Sequence, residues 1–322
     1  MTKQELRIVY MGTPEFAVEP LRLLVERGYN VVAVVTMPDK PAGRGHKIQF
    51  SPVKQYALSC GLPLLQPERL KDETFVETLR GYKADLQIVV AFRMLPQVVW
   101  DMPPMGTFNL HASLLPQYRG AAPINWAIIN GDHETGITTF FLSHEIDTGR
   151  IIQRRSIPVA DTDNVGIIHD KLMVMGAEMV CETVDNIIAG TVTAVPQEEL
   201  MTDEPLRPAP KIFKETCHLD WTSTVERLYN LVRGLSPYPA AWCEFVSPEG
   251  DAIGVKIFEA SRRLQKHGFL PGTIRTDGCK IIDVACADGF LRLDSLQLVG
   301  KKRLSAEELL RGFRLTDGYV AR

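Results

Sequence analysis

Leu6-Arg7-Ile8-Val9-Tyr10-Met11-Gly12-Thr13-Pro14 is a short apolar run that ends at a glycine and a proline, and it sets the fold of the first part of the chain. A helical pattern of apolar residues follows and stops at Gly28, a typical helix C-cap. Further apolar runs cover residues 31–36 and 86–92, with helical patterns between them. Strands that are apolar throughout and alternate with helices are typical of a parallel sheet covered on both faces. With right-handed crossovers, the pattern predicts an α/β, Rossmann-like doubly wound N-terminal domain.

The turn after the first strand, Gly12-Thr13-Pro14-Glu15-Phe16-Ala17, lacks the Gly-x-Gly-x-x-Gly fingerprint of dinucleotide-binding folds. Pro14 and Phe16 stand where close approach of the backbone to a pyrophosphate needs small residues. The sequence therefore argues against a nicotinamide dehydrogenase.

The second part of the chain has a different pattern. Residues 191–210 are rich in proline, threonine and glutamate without an apolar period, which is typical of a semi-rigid linker. A helical pattern at residues 223–233 precedes several short strand-like runs, which predict a small β-barrel. These runs cover residues 242–246, 254–260, 272–275, 280–285 and 290–298. We predict a catalytic domain at 1–190, a linker at 191–210 and a smaller C-terminal barrel domain at 211–322.

Composition favours an ordinary globular protein of two domains. The 322 residues are 45% hydrophobic and 23% charged, and no run approaches the roughly 18 apolar residues of a membrane helix. The first residues, Met1-Thr2-Lys3-Gln4-Glu5, lack the apolar core and cleavage site of a signal peptide. We therefore expect a cytoplasmic protein that does not enter a membrane.

Cysteine and histidine spacing gives no sign of a disulfide framework or a metal site. The six cysteines are scattered, with no Cys-x-x-Cys pair. His133 and His144 each precede a glutamate, but neither has a second histidine four residues on. We expect no metal.

Charge is distributed unevenly along the chain. The whole chain has a net charge of −3, whereas residues 209–322 carry 17 Lys and Arg against 14 Asp and Glu. A mildly basic C-terminal part could contact a phosphate backbone. Ordinary scatter of charge explains the same count, so both interpretations stay open.

The run Phe108-Asn109-Leu110-His111 leads into a loop at Pro116, which cannot continue a central strand. Asn109 and His111 are two residues apart and therefore share a face of the strand, at the carboxyl end where ligands of parallel sheets bind. An amide donor beside an imidazole suits acyl transfer, because the amide can stabilise an oxyanion and the imidazole can move a proton. A purely structural histidine at a strand end would show the same pattern.

A second polar run, His144-Glu145-Ile146-Asp147-Thr148-Gly149, lies between two strand-like segments. Asp147 and Gly149 could serve only turn geometry, or Asp147 could fold back beside His111 and bias its protonation. The sequence has no serine or cysteine in a nucleophile-elbow context. This favours direct attack by a substrate amine over a covalent acyl-enzyme.

Several of these motifs together resemble the folate-dependent formyltransferases. The shared motifs are Asn109-x-His111, Ser113-Leu114-Leu115-Pro116, Arg119-Gly120-Ala121-Ala122-Pro123 and Asp147-Thr148-Gly149. Other runs are similar to the methionyl-tRNA formyltransferases within that superfamily. They are Met11-Gly12-Thr13-Pro14, Pro41-Ala42-Gly43-Arg44-Gly45, Leu219-Asp220-Trp221 and Gly300-Lys301-Lys302.

The resemblance implies roles for individual residues. Asn109, His111 and Asp147 match the catalytic trio of the family. The implied folate-contacting loop is Ser113, Leu114, Leu115 and Pro116. The α-amine of charged initiator methionyl-tRNA would attack the formyl carbon of the co-substrate 10-formyltetrahydrofolate. Asn109 and protonated His111 would stabilise the oxyanion, with Asp147 holding His111.

The resemblance also gives a role to the segment 38–50 and to the C-terminal barrel. The family has a mobile basic loop at 38–50 that contacts the tRNA acceptor end, and Arg44 is the implied contact. Its C-terminal domain is an oligonucleotide-binding-like barrel, which implies a tRNA-binding role for this part of the chain. We expect the protein to act as a monomer.

One run departs from the family pattern, and more than one acceptor is compatible with the shared motifs. Val90-Ala91-Phe92-Arg93-Met94-Leu95-Pro96 is one residue shorter than in many members, so the folate contacts of residues 92–95 are undefined. An amino sugar or glycinamide ribonucleotide could be the acceptor, although neither needs the basic loop or the barrel. A formylfolate hydrolase, in which water replaces the amine, and an inactive tRNA-binding module also stay open.

Overall fold

The computed structural model describes residues 1–42, 47–316 and 318–322. These residues form two compact units. The first unit contains residues 1–120, 136–157 and 169–208, and the second contains 121–135, 158–168 and 209–322. This division places two internal segments with the C-terminal residues and shows no separate linker. The sequence boundaries of 1–190, 191–210 and 211–322 stay a prediction.

Strands alternate with helices through the first half of the chain, as the apolar runs predict. The strands are β1 (Ile8–Gly12), β2 (Val31–Val35), β3 (Lys40–Ala42), β4 (Lys47–Gln49), β5 (Leu64–Leu65), β6 (Leu86–Val90), β7 (Thr107–His111), β8 (Glu134–Phe141) and β9 (Ile151–Pro158). The helices are α1 (Val18–Glu26), α2 (Pro52–Ser59), α3 (Glu73–Gly81), α4 (Gln97–Trp100), α5 (Pro123–Ile129) and α6 (Val165–Ala189).

The main sheet of the first unit has the strand order β5-β2-β1-β6-β7-β8-β9. Adjacent strands from β5 to β7 in this order are parallel, whereas β8 runs antiparallel to β7. Every residue of β1 and β6 is buried, as expected for strands covered on both faces. The α/β, Rossmann-like fold is confirmed, and β7, which ends at His111, lies towards its antiparallel edge.

The second unit is built around an antiparallel sheet that nearly closes into a barrel. Its strands are β10 (Ala241–Val246), β11 (Ala252–Arg263), β12 (Ile274–Thr276), β13 (Ile282–Ala285), β14 (Phe290–Leu298), β15 (Leu304–Ser305) and β16 (Val320–Ala321). The order is β12-β13-β14-β11-β10-β16, and a bridge between Thr273 and Val320 joins the two ends. Helices α5, α7 (Val225–Leu235) and α8 (Ala306–Leu310) also belong to this unit. The predicted β-barrel is confirmed.

Apolar side chains fill both units. One core of the first unit packs Val9, Met11, Ala33 and Val89 against Leu79 of α3. The barrel core includes the fully buried Phe245, Ile257, Leu291 and Leu296. No helix in the described part of the chain is long and apolar enough to cross a membrane.

Candidate active site

Asn109 and His111 lie on β7, which ends at the predicted loop. Asn109 pairs with Val89 of β6 on one side and with Phe140 of β8 on the other. The two side chains share a face because they are two residues apart on the strand. Asn109 is half-buried, and no described residue makes a hydrogen bond to its side chain. Its amide is therefore available to a ligand.

Two groups orient the His111 ring, which is 6% exposed. Its Nε2 lies 2.9 Å from the backbone carbonyl oxygen of Tyr118. Because a carbonyl only accepts hydrogen bonds, Nε2 carries a proton and donates it. The ring contacts Phe140 edge-on at a centroid distance of 6.5 Å. This leaves Nδ1 as the nitrogen that can exchange a proton with a ligand.

Asp147 lies beside His111, as one interpretation of its sequence position predicts. Its Oδ2 is 3.9 Å from His111 Nδ1 and accepts a 3.0 Å hydrogen bond from the Gly120 backbone N–H. The carboxylate therefore faces the ring nitrogen across a distance longer than a direct hydrogen bond.

The backbone around Asp147 has an unusual shape. Asp147 has a φ of 54°, in the left-handed region that residues other than glycine seldom adopt. A Cβ added to Gly149 would lie 1.6 Å from the carbonyl oxygen of Phe141, so only glycine fits there. The run Asp147-Thr148-Gly149 thus serves turn geometry and also places the carboxylate beside His111.

Most side chains of the loop at residues 113–116 make contacts within the protein. The Ser113 hydroxyl donates to the Gln117 carbonyl at 2.7 Å, and Leu115 is fully buried with Phe140 and Ile151. Pro116 is buried as well, and Leu114 is the half-buried residue of the four. The folate contacts of Ser113, Leu114, Leu115 and Pro116 stay a prediction.

Residues 92–95 divide between the core and the surface. Leu95 is 8% exposed and Met94 is 72% exposed. The Arg93 guanidinium donates to the backbone carbonyls of Pro67 and Glu68. Arg93 therefore fixes residues 92–95 to residues 67–68. Met94 is the side chain of this segment that is exposed to solvent.

The predicted basic loop begins and ends in a short hairpin, with β3 antiparallel to β4. Before the hairpin, Asp39 accepts hydrogen bonds from Lys54 at 2.5 Å and from Gln66 at 3.0 Å. These bonds lower the pKa of the Asp39 carboxyl, with Lys54 as the main cause. Arg44, the predicted tRNA contact, lies outside the described residues.

Two residues near Asp147 escape the sequence analysis. Tyr118 supplies the carbonyl that fixes His111, and its φ of 61° is also left-handed. Gln197, within the predicted linker, is fully buried and donates to the backbone carbonyls of Asp147 and Gly149. No local pattern indicates either role, because a backbone carbonyl and a contact 50 residues away leave no motif.

Neither metal ligation nor a nucleophilic serine is part of this arrangement. Among the described residues, no group of three or more His, Cys, Asp or Glu side chains could hold a metal ion. The Ser113 hydroxyl donates to a carbonyl and not to His111. The arrangement of an amide donor, an oriented imidazole and a carboxylate suits acyl transfer to an incoming nucleophile.

Comparison with family models and curated proteins agrees with this chemistry. The Formyl transferase model matches residues 6–184, and the model for the Formyl transferase C-terminal domain matches residues 211–314. A methionyl-tRNA formyltransferase of Bacteroides thetaiotaomicron is 69% identical over 319 residues, covering 99% of both chains. One from Parabacteroides distasonis is 65% identical over 322 residues, again covering 99% of both.

Solved structures of lower identity share the fold. HypX from Aquifex aeolicus, in complex with tetrahydrofolic acid, matches with a TM-score of 0.62 at 20% identity. The match covers 98% of this chain, which spans about half (51%) of the HypX chain. An N-formyltransferase from Helicobacter canadensis, in complex with folinic acid and dTDP-3-aminofucose, matches with a TM-score of 0.64 at 17% identity. It covers 93% of this chain and 100% of its own. The chain belongs to the methionyl-tRNA formyltransferase family.

Proposed function

We propose that this chain transfers the formyl group of 10-formyltetrahydrofolate to the free α-amino group of methionyl-tRNA, giving formylmethionyl-tRNA for translation initiation. The 69% identity to a methionyl-tRNA formyltransferase over nearly the whole chain supports the acceptor and the donor. The observation that carries the chemistry is the His111 ring, which Tyr118 fixes through Nε2 while Nδ1 faces Asp147 at 3.9 Å.

Each residue of the trio has a defined task in this proposal. The folate co-substrate supplies the formyl carbon, and the bond from that carbon to the folate nitrogen breaks as the bond to the amine forms. The amine loses a proton, the folate nitrogen gains one, and tetrahydrofolate leaves. The Asn109 amide would donate to the carbonyl oxygen that gains negative charge as the amine attacks. The His111 Nδ1–H would stabilise the same charge, while the Asp147 carboxylate lies beside that nitrogen.

The arrangement of charges fits an uncharged carbonyl that becomes negative during the reaction. The ring and the carboxylate are nearly buried, with side chains 7% and 12% exposed. In such surroundings electrostatic interactions are stronger than in water.

We propose that residues 113–116 hold the folate through the surface that Leu114 presents, since the side chains of Ser113 and Leu115 already make contacts within the protein.

We propose that the basic hairpin at residues 38–50 contacts the tRNA, with Arg44 as the principal side chain. The Asp39–Lys54 ion pair supports this role, because it fixes one end of the hairpin to α2. Replacing Arg44 with alanine should raise KM for initiator methionyl-tRNA while leaving kcat for transfer nearly unchanged. Equal kinetics for wild type and variant with initiator and elongator methionyl-tRNA would remove Arg44 from tRNA selection.

We also propose that the protein acts as a monomer in the cytoplasm. Its charged tRNA substrate is made and used in the compartment of translation. Sedimentation equilibrium at micromolar concentration should give the mass of a single chain, and a dimer mass would overturn the monomer.

Formyl transfer from 10-formyltetrahydrofolate should be measured with charged initiator methionyl-tRNA, uncharged tRNA, an amino-sugar nucleotide and water alone. We expect product only with the charged tRNA. Formate release without an acceptor would favour a hydrolase. Transfer to the amino sugar alone would show that the acceptor is an amino sugar, and the proposal of methionyl-tRNA as acceptor would then be wrong.

A further inference from the structure

The side chain of Gln197 lies directly behind the Asp147 turn. Its Nε2 donates to the backbone carbonyl oxygen of Asp147 at 2.8 Å and to that of Gly149 at 2.9 Å. Its Oε1 accepts from Arg119 Nε at 3.1 Å and from the terminal nitrogen of the same guanidinium at 2.6 Å. Gln197 is fully buried at the start of a short 3₁₀ helix, Gln197–Leu200.

These four contacts use the whole hydrogen-bonding capacity of the amide. A glutamine side chain has two N–H donors and two acceptor positions on its oxygen, and all are occupied here. The amide is therefore fixed in orientation, with its N–H groups directed at the Asp147 turn. Arg119 sets that orientation, because a guanidinium can only donate and so can bind only the oxygen.

The turn needs such support because its shape is strained. A left-handed φ of 54° at Asp147 carries a conformational cost for a residue other than glycine. The Gly120 N–H holds the Asp147 carboxylate from the other side at 3.0 Å. Arg119 and Gly120 are neighbours, so one short segment supports the backbone of Asp147 through Gln197 and its carboxylate directly.

We propose that Gln197 is a positioning residue for the reaction, and that Arg119 acts through it. Gln197 holds the carbonyls of Asp147 and Gly149, and so keeps the Asp147 carboxylate 3.9 Å from His111 Nδ1. This inference rests on the proposed formyl transfer and adds a residue from the segment between the two family domains.

The variant Gln197→Glu separates this role from simple packing. Glutamate keeps the shape of the side chain and the acceptor for Arg119, but it replaces the two N–H donors of Nε2 with one oxygen that faces two carbonyls. We expect kcat to fall about tenfold with little change in KM for either substrate, since a displacement well under 1 Å already reduces rates.

Gln153→Glu is the matched control. The Gln153 Nε2 donates to the Met179 carbonyl at 3.0 Å and to the Thr183 hydroxyl at 2.8 Å, so the same change removes two donors in the same unit. Both variants should lose stability, but only Gln197→Glu should lose kcat. Arg119→Lys offers a second test if Gln197→Glu does not fold. It should lower kcat about threefold, because the Gln197 amide is then held less firmly in orientation.

A second readout does not depend on turnover. The ¹⁵N shifts of the His111 ring, assigned with a His111→Gln sample, should change in Gln197→Glu and stay the same in Gln153→Glu. Binding of folinic acid should be retained in both. Unchanged His111 shifts together with unchanged kcat in Gln197→Glu would overturn the positioning role. A wild type without transfer but with shifted His111 signals in the variant would overturn the proposed function alone.

Discussion

The Asp147 turn and the C-terminal barrel are held by different kinds of interaction. The barrel is fixed by long backbone ladders, such as β11 on β14 from Val255 to Arg263, over a core of fully buried apolar residues. The Asp147 turn is fixed by side chains that reach backbone groups, with Gln197 on its carbonyls and the Gly120 N–H on its carboxylate. The barrel thus depends on many equivalent contacts, and the turn depends on a few specific ones.

This difference separates stability from activity in the molecule. A change in the barrel core should lower the free energy of unfolding and leave the rate of the chemical step intact. A change at Asn109 or Asp147 should lower the rate of the chemical step and leave the free energy of unfolding nearly unchanged, because strained and partly unpartnered groups are retained for function and not for stability.

The largest effect on stability is expected from Phe245→Ala in β10. Phe245 is fully buried in the barrel core, and removing a buried phenylalanine ring costs about 3–5 kcal/mol of unfolding free energy. Urea unfolding measures the loss, and Phe245→Leu, which leaves a smaller cavity, should lose less. Below the unfolding transition, kcat should be unchanged, and a parallel loss of kcat would break the separation.

The largest effect on activity without loss of stability is expected from Asn109→Ala. The Asn109 amide makes no hydrogen bond to the described residues, so the folded protein loses little when it is removed. Loss of one oxyanion donor lowers kcat about 10²–10³-fold. Steady-state formylation and thermal unfolding should be measured together. If Asn109→Ala lowers the melting temperature but keeps the wild-type kcat, Asn109 serves stability and not the reaction.

A smaller loss of activity is expected from Asp147→Asn. Asparagine tolerates a left-handed φ and keeps an acceptor for the Gly120 N–H, so the turn should remain in place. The negative charge beside His111 is lost, and we expect kcat to fall about 10²-fold with an unchanged melting temperature. Wild-type kcat in this variant would show that Asp147 serves only the turn.

The smallest effect concerns Asp39, at one end of the basic hairpin. Its carboxyl pKa is lowered in the folded protein from the ordinary value of 3.8. The ion pair with Lys54 therefore adds stability above that pH, and the contribution is lost as the pH falls through the lower folded value. Asp39→Asn should lower the melting temperature more at pH 7 than at pH 2. Equal losses at both pH values would exclude the ion pair as the cause.

Regular elements follow from the sequence because their signals are local. The apolar run at residues 290–298 coincides with β14, and the turn residues around the other barrel runs place their strands to within a few positions. The 25-residue α6 is missed, since its apolar residues, among them Leu172, Met179 and Cys181, surround the helix and give a weak period.

The site is only partly predictable. The spacing of Asn109 and His111 and the turn at Asp147 indicate acyl-transfer chemistry, and the structure places Asp147 Oδ2 3.9 Å from His111. The roles of Tyr118 and Gln197 could not be predicted. One acts through a backbone carbonyl, and the other lies in a proline-rich segment that resembles an ordinary linker.

The role of His111 in formyl transfer is tested most directly by single-turnover formylation of initiator methionyl-tRNA with the wild type and with His111→Ala. Both proteins should be saturated with 10-formyltetrahydrofolate, and binding of tRNA and folinic acid should be measured on the same samples. Loss of a general acid–base group should lower the rate of transfer about 10²–10⁴-fold while both ligands still bind. Transfer at the wild-type rate in His111→Ala would contradict the assignment of the reaction to this site.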